Sequence, residues 1–158
     1  NNGCPVCAPY DESLFYFTLR AQSEPGAFFL PEARDKQRPG PKRNLTVDVQ
    51  TSGAGTGEGL ELDEVIALEP EGLAAWRLRL DPGQSAVGPA PDSGGGQYYV
   101  VLDGELIFKG HTYEPLSCIF VSPPEEPFEV GASARGAEAL ILQFPYWEKG
   151  TAQNVPEF

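Results

Sequence analysis

The chain has 158 residues, enough for one domain with a sizeable core. Its 18 glycines and 16 prolines suit short strands and turns better than helices. A formal net charge of −12 would repel phosphate backbones, and no apolar run approaches the roughly 18 residues of a membrane-crossing helix, so neither nucleic acid nor a membrane is an expected partner.

The sequence opens with Cys4-Pro5-Val6-Cys7. A structural zinc site needs about four ligands, and a redox pair sits at the start of a helix that follows a strand. Ala8-Pro9-Tyr10 begins no such helix, so the pair reads as silent thiols or as half of a site completed elsewhere. Residues 14–19 and 45–49, with 27–30 between them, are rich in aromatic and β-branched side chains and read as strands. Arg34, Lys36, Arg38, Lys42 and Arg43 crowd into one stretch, a solvated loop or a docking segment for an acidic surface. Asn44-Leu45-Thr46 fits a glycosylation sequon by pattern. Residues 51–59 are glycine-rich and lack the Lys-Ser/Thr of a phosphate loop, which leaves a flexible connection. Residues 1–59 thus form a strand-bearing arm and glycine-rich loop. Residues 10–50 are too apolar for solvent and too few for their own core. They are expected to add strands to the main sheet, within the subunit or across a homodimer.

From residue 60 the strands become regular. Residues 63–68 form one. In residues 75–80, Trp76, Leu78 and Leu80 share one face while Arg77 and Arg79 share the other. Residues 98–102 follow, and Asp103-Gly104 carries a tight-hairpin signal. Residues 105–108 return, Lys109-Gly110-His111 turns again, and residues 117–121, 128–130 and 139–144 complete the set. Evenly spaced short strands indicate a sandwich or barrel. The expected core includes Trp76, Leu78, Leu80, Ile119, Val121, Leu140 and Leu142, with Cys118 a small buried residue. Residues 147–158 read as a tail. No secretory signal pattern is visible and methionine is absent, so the chain is expected to be a processed form or part of a longer protein, and to be cytoplasmic.

Two stretches carry a family resemblance. Gly94-Gly95-Gly96-Gln97-Tyr98-Tyr99-Val100-Val101-Leu102-Asp103-Gly104-Glu105-Leu106 resembles the first signature of the cupin superfamily, and Ser122-Pro123-Pro124-Glu125-Glu126-Pro127-Phe128 resembles the second. The resemblance implies an all-β, cupin-type double-stranded β-helix (jelly-roll) barrel over residues 60–146. It also sets the family's metal-ligand positions at Pro91, Ser93, Gln97 and Phe128. Pro and Phe have no donor there, serine is a poor neutral ligand, and one amide oxygen cannot hold a divalent ion alone. No metal and no cofactor are therefore expected. The single histidine, His111, reads as an exposed turn residue away from those positions. A serine or cysteine nucleophile would need a base, and only His111 is available.

If Gln97 points inward like the family glutamate, period two sends Tyr99 and Val101 inward with it. Gln97 and Tyr99 would orient a small polar ligand, Phe128 would form an apolar wall, and Arg79 would add charge if its face is the inner one. The competing reading is that these side chains simply fill the core. The expected function is a non-metal cupin domain that binds or senses a small molecule or drives oligomerisation. The alternative is a metal-independent enzyme acting on a small polar or carbohydrate-like substrate through Tyr99, Arg79 and Glu125 or Glu126.

Overall fold

The computed structural model describes residues 17, 19, 45–49 and 60–146. The expectations for Cys4, Cys7, the basic stretch, Asn44, the glycine-rich loop and the tail lie outside them. Seven strands are described: β1 (Glu61–Ile66), β2 (Ala74–Leu80), β3 (Ser85–Val87), β4 (Gln97–Phe108), β5 (His111–Tyr113), β6 (Cys118–Val121) and β7 (Glu129–Gln143). A 3-10 turn at Pro91–Ser93 precedes β4. All pairings are antiparallel, in the order β1-β2-β7-β4-β5, with β3 added to β7 and β6 added to β4. No described helix is long and apolar enough to cross a membrane.

The architecture rests on β4 and β7, of 12 and 15 residues. Each changes partner along its length. The first half of β4 lies between β6 and β7, and its last residues lie between β5 and β7. The second half of β7 lies between β2 and β4, while its start pairs with β3 and β4. Both strands are irregular at one level. On β4 the register breaks around Gly104, and on β7 the segment from Ser133 to Gly136 has no counterpart in the β4 ladder. Gly104 (φ 67°) and Gly136 (φ 72°) hold left-handed backbone there, which glycine adopts without a side-chain clash. Asp103-Gly104 is therefore a bulge inside one continuous strand, not the hairpin turn expected from its composition. The tight turn comes at Lys109-Gly110, where φ values of 47° and 77° match the primed hairpin geometry that suits strand twist.

Bent at those bulges, the two long strands bring both half-sheets onto one core. Leu78, Leu80, Tyr99, Val101, Ala137 and Ile141 from the first half meet Leu106, Phe108, Val130 and Ala132 from the second. Each fully buried large apolar side chain contributes about 1.5–3 kcal/mol relative to exposure. The result is the expected all-β, two-layered architecture, although the sheet does not close into a complete ring among the described residues.

Several side chains sit differently from expectation. Leu78, Leu80, Ile119 and Val121 are buried, and Trp76 packs half-buried against them. On β7 the inward residues are Ala139 and Ile141, so Leu140 and Leu142 lie half-buried on the opposite, outer face. Cys118 is exposed, because Ile119 and Val121 take the inner positions of β6. Residues 45–49 form no strand, and Leu45 and Val47 are exposed. Among the described residues of the arm, none extends the sheet.

Candidate functional site

Gln97 opens β4 and stands in register with Gln143 near the end of β7. The two amides share the inner face, and neither residue is more than 2% exposed. A buried amide costs about 1–3 kcal/mol if left unpaired, so the partners decide what the centre can do. The loop before β4 supplies them. Gln97 Nε2 donates to Gln143 Oε1 at 2.8 Å, and Pro89 O at 3.2 Å and Ala90 O at 3.3 Å share its remaining hydrogen. Gln143 Nε2 donates to Gly72 O at 2.8 Å. The Ser93 hydroxyl lies 2.6 Å from Ala90 O and 3.0 Å from Gln143 Oε1, and its single hydrogen serves one of them.

Two residues along β4, the fully buried Tyr99 turns its hydroxyl towards Gln97 Oε1, a weak contact at 3.4 Å. Desolvation pushes this phenol above its ordinary value, which keeps it protonated. Gly88 makes room for it: a Cβ at that position would stand 2.0 Å from the Tyr99 hydroxyl. Phe128 closes the aromatic side, its ring 5.2 Å from that of Tyr99 and 4.4 Å from that of Phe108. Such tilted pairs add about 0.5–1.5 kcal/mol beyond burial.

The family's metal positions can be tested on this donor set. Pro91 is buried without a side-chain donor, Phe128 is half-buried against the Tyr99 and Phe108 rings, and the polar atoms of Gln97 and Ser93 both meet Gln143 Oε1. Among the described residues no three His, Cys, Asp or Glu side chains converge. This set does not fit a transition metal.

Of the four expected ligand residues, Gln97, Tyr99 and Phe128 come together. Arg79 does not. It projects from the outer face of β2, where Arg79 pairs with Glu61 and, at 3.3 Å, with Asp63, and Arg77 pairs with Asp63 at 2.6 Å. Glu125 accepts from the Ser122 N–H at 2.9 Å in the Pro-Pro turn, and Glu126 is exposed. His111 is exposed at the start of β5. Gln143 was not singled out by sequence, yet its parity with Ala139 and Ile141 marks it as an inward polar residue. Glu138 was also missed. It is fully buried beside its register partners Arg79 and Asp103, and neither carboxylate oxygen has a hydrogen-bond partner.

The outer face also carries a cavity of about 560 Å³, lined by residues of β2, β4 and β7 together with Phe17 and Leu19.

No protein-family model matches the chain, and no curated protein does. Solved structures with a similar chain trace include SigE in complex with the anti-sigma ChrR of Rhodobacter sphaeroides, at 15% identity and a TM-score of 0.43, where the match covers 60% of this chain and only 50% of that one. The cupin domain of an XRE family transcriptional regulator from Enterobacter cloacae matches at 15% identity and a TM-score of 0.43, over 56% of this chain and 99% of that one. The DMSP lyase DddQ of Ruegeria pomeroyi matches at 18% identity and a TM-score of 0.44, over 84% of this chain and 80% of that one. At these levels the overlays say nothing about ligand or activity. The strand order and the two bent central strands are those of an all-β, two-layered sheet, and the two degenerate signatures resemble those of the cupin superfamily.

Proposed function

We propose that this domain is a non-enzymatic cupin module, free of metal at its centre, which works by binding a small molecule rather than transforming one. The observation that carries this reading is the buried Gln97 amide, whose donors are all taken by protein oxygens. Gln97, at one of the positions where the resemblance sets the family's ligands, donates to Gln143, whose own amide donates to Gly72 O, and the Tyr99 and Phe128 rings pack beside them. No pair of groups there is poised for acid–base work: the Tyr99 phenol stays protonated, and Arg79 lies on the other face of the sheet. A binding role therefore belongs to surfaces outside the barrel centre.

Elemental analysis of protein purified without chelator, with a thermal-shift screen of small molecules, tests the reading. Ligand-induced stabilisation without turnover, and no stoichiometric metal dependent on Gln97, is the expected result. Stoichiometric iron, manganese, nickel or zinc that disappears on Gln97→Ala would overturn it.

A further inference from the structure

We infer that the outer-face cavity is a binding site for a neutral, apolar small molecule, of the size of a medium-chain alcohol or a compact polycyclic ring system. The inference deepens the binding-module reading and rests on it for its biological meaning. The geometry has four parts. The volume of about 560 Å³ falls within the roughly 300–1,000 Å³ of small-molecule sites. The floor is sheet: Leu102 from β4 and Leu140 and Leu142 from β7 share the outer face, and none is completely buried by the chain itself. Phe17 and Leu19, two residues of one parity, complete the described lining. Phe17 remains 45% exposed there, so its ring lines the space without filling it.

The chemistry of the walls selects the ligand. Among the described residues no charged side chain lines the cavity, and the one polar residue that does, Gln143, has its amide engaged on the inner face with Gly72, Gln97 and Ser93. A charged or strongly polar headgroup would lose its water there with nothing in return. A second copy of the chain is the weaker occupant. Two chains of net charge −12 repel, and Phe17 and Leu19 of the same chain already line the cavity.

The test uses the full chain and the neutral dye Nile red, with dodecanol and dodecanoate as competitors at neutral pH. Saturable one-to-one binding is expected, displaced by dodecanol and about tenfold less well by dodecanoate. Leu102→Gln and Phe17→Ala should each weaken the dye by about tenfold or more, whereas Val87→Gln, on an exposed residue of β3 outside the cavity, should leave it unchanged. Leu116→Gln gives a second rim probe at an exposed residue, where loss of fold is not a concern. No saturable binding, or binding indifferent to these substitutions in folded protein, overturns the inference. So does a dimer in sedimentation that Leu102→Gln or Leu116→Gln dissociates, because the occupant is then a second copy. Metal at the barrel centre would overturn the functional reading and leave this result standing, so the two failures are distinguishable.

Discussion

Gln97→Glu places the family's own residue at the head of β4, and the account requires it to be harmful. The Gln97 Nε2 atom faces three oxygens, Gln143 Oε1 at 2.8 Å, Pro89 O at 3.2 Å and Ala90 O at 3.3 Å. A carboxylate in its place turns donation into repulsion at a site that is 0% exposed. Turning over the Gln143 amide would offer a donor, but it would set the Gln143 oxygen against Gly72 O, 2.8 Å from the present nitrogen. The new carboxyl must hold its proton to fold, so its pKa rises above the unfolded value of about 4.3. A rise of about 3 units, ordinary for a fully buried acid, corresponds to about 4 kcal/mol. The sign follows by linkage. Below about pH 4.3 both states are protonated, and the variant lacks about 1 kcal/mol for one lost hydrogen bond. As pH rises through that value the unfolded state releases its proton first, so the deficit grows until the folded pKa near 7 is reached. Urea unfolding of wild type and variant across this range isolates the effect, because subtraction cancels the other carboxylates. A variant as stable as wild type at neutral pH, or one whose midpoint rises with added manganese or zinc, would refute the reasoning.

Gly88→Ala should lose about 1–3 kcal/mol, since the new methyl would stand 2.0 Å from the Tyr99 hydroxyl; Tyr99→Phe in the same background should recover part of the loss, and additive effects in the double-mutant cycle would contradict the contact. Glu138→Leu should raise stability by about 1–3 kcal/mol by replacing a fully buried side chain whose oxygens have no hydrogen-bond partner with an apolar one; denaturant midpoints that fall instead would show that the carboxyl is usefully held. Lys109→Asn should stabilise by up to about 1 kcal/mol, because Lys109 holds a φ of 47° that asparagine tolerates better, and an unchanged thermal midpoint would count against strain in this turn.

Much of the fold was legible where polarity alternates. In β2, Arg77 and Arg79 alternate with Trp76, Leu78 and Leu80, so placing the apolar side in the core already puts Arg79 outside. In β4 the parity of Gln97, Tyr99 and Val101 was enough to turn all three inward. Parity fails where both faces are apolar. Leu140 and Leu142 outweigh Ala139 in hydrophobicity, yet register with β4 turns Ala139 and Ile141 inward. On β6 the same ambiguity misassigned Cys118, because Phe120 and Cys118 line the outer face while Ile119 and Val121 fill the inner one. Gly104 misled for a different reason. A hairpin turn and a bulge both need positive φ, and only the partner strand distinguishes them. The centre was half legible: its signature residues were visible in β4, whereas Gln143, 46 positions away, joins them only through the β4–β7 register.

The central claim is that the buried Gln97 amide is held by protein partners and not by a metal, and its side-chain NH2 reports on it directly. In isotope-labelled protein, the NH2 signals of Gln97 and Gln143 should be resolved, shifted from free-amide positions and slow to exchange with solvent. They should not move when zinc, manganese or nickel is added. Rapid exchange at Gln97, or saturable metal-dependent shifts or broadening centred on Gln97 and Ser93, would contradict the account.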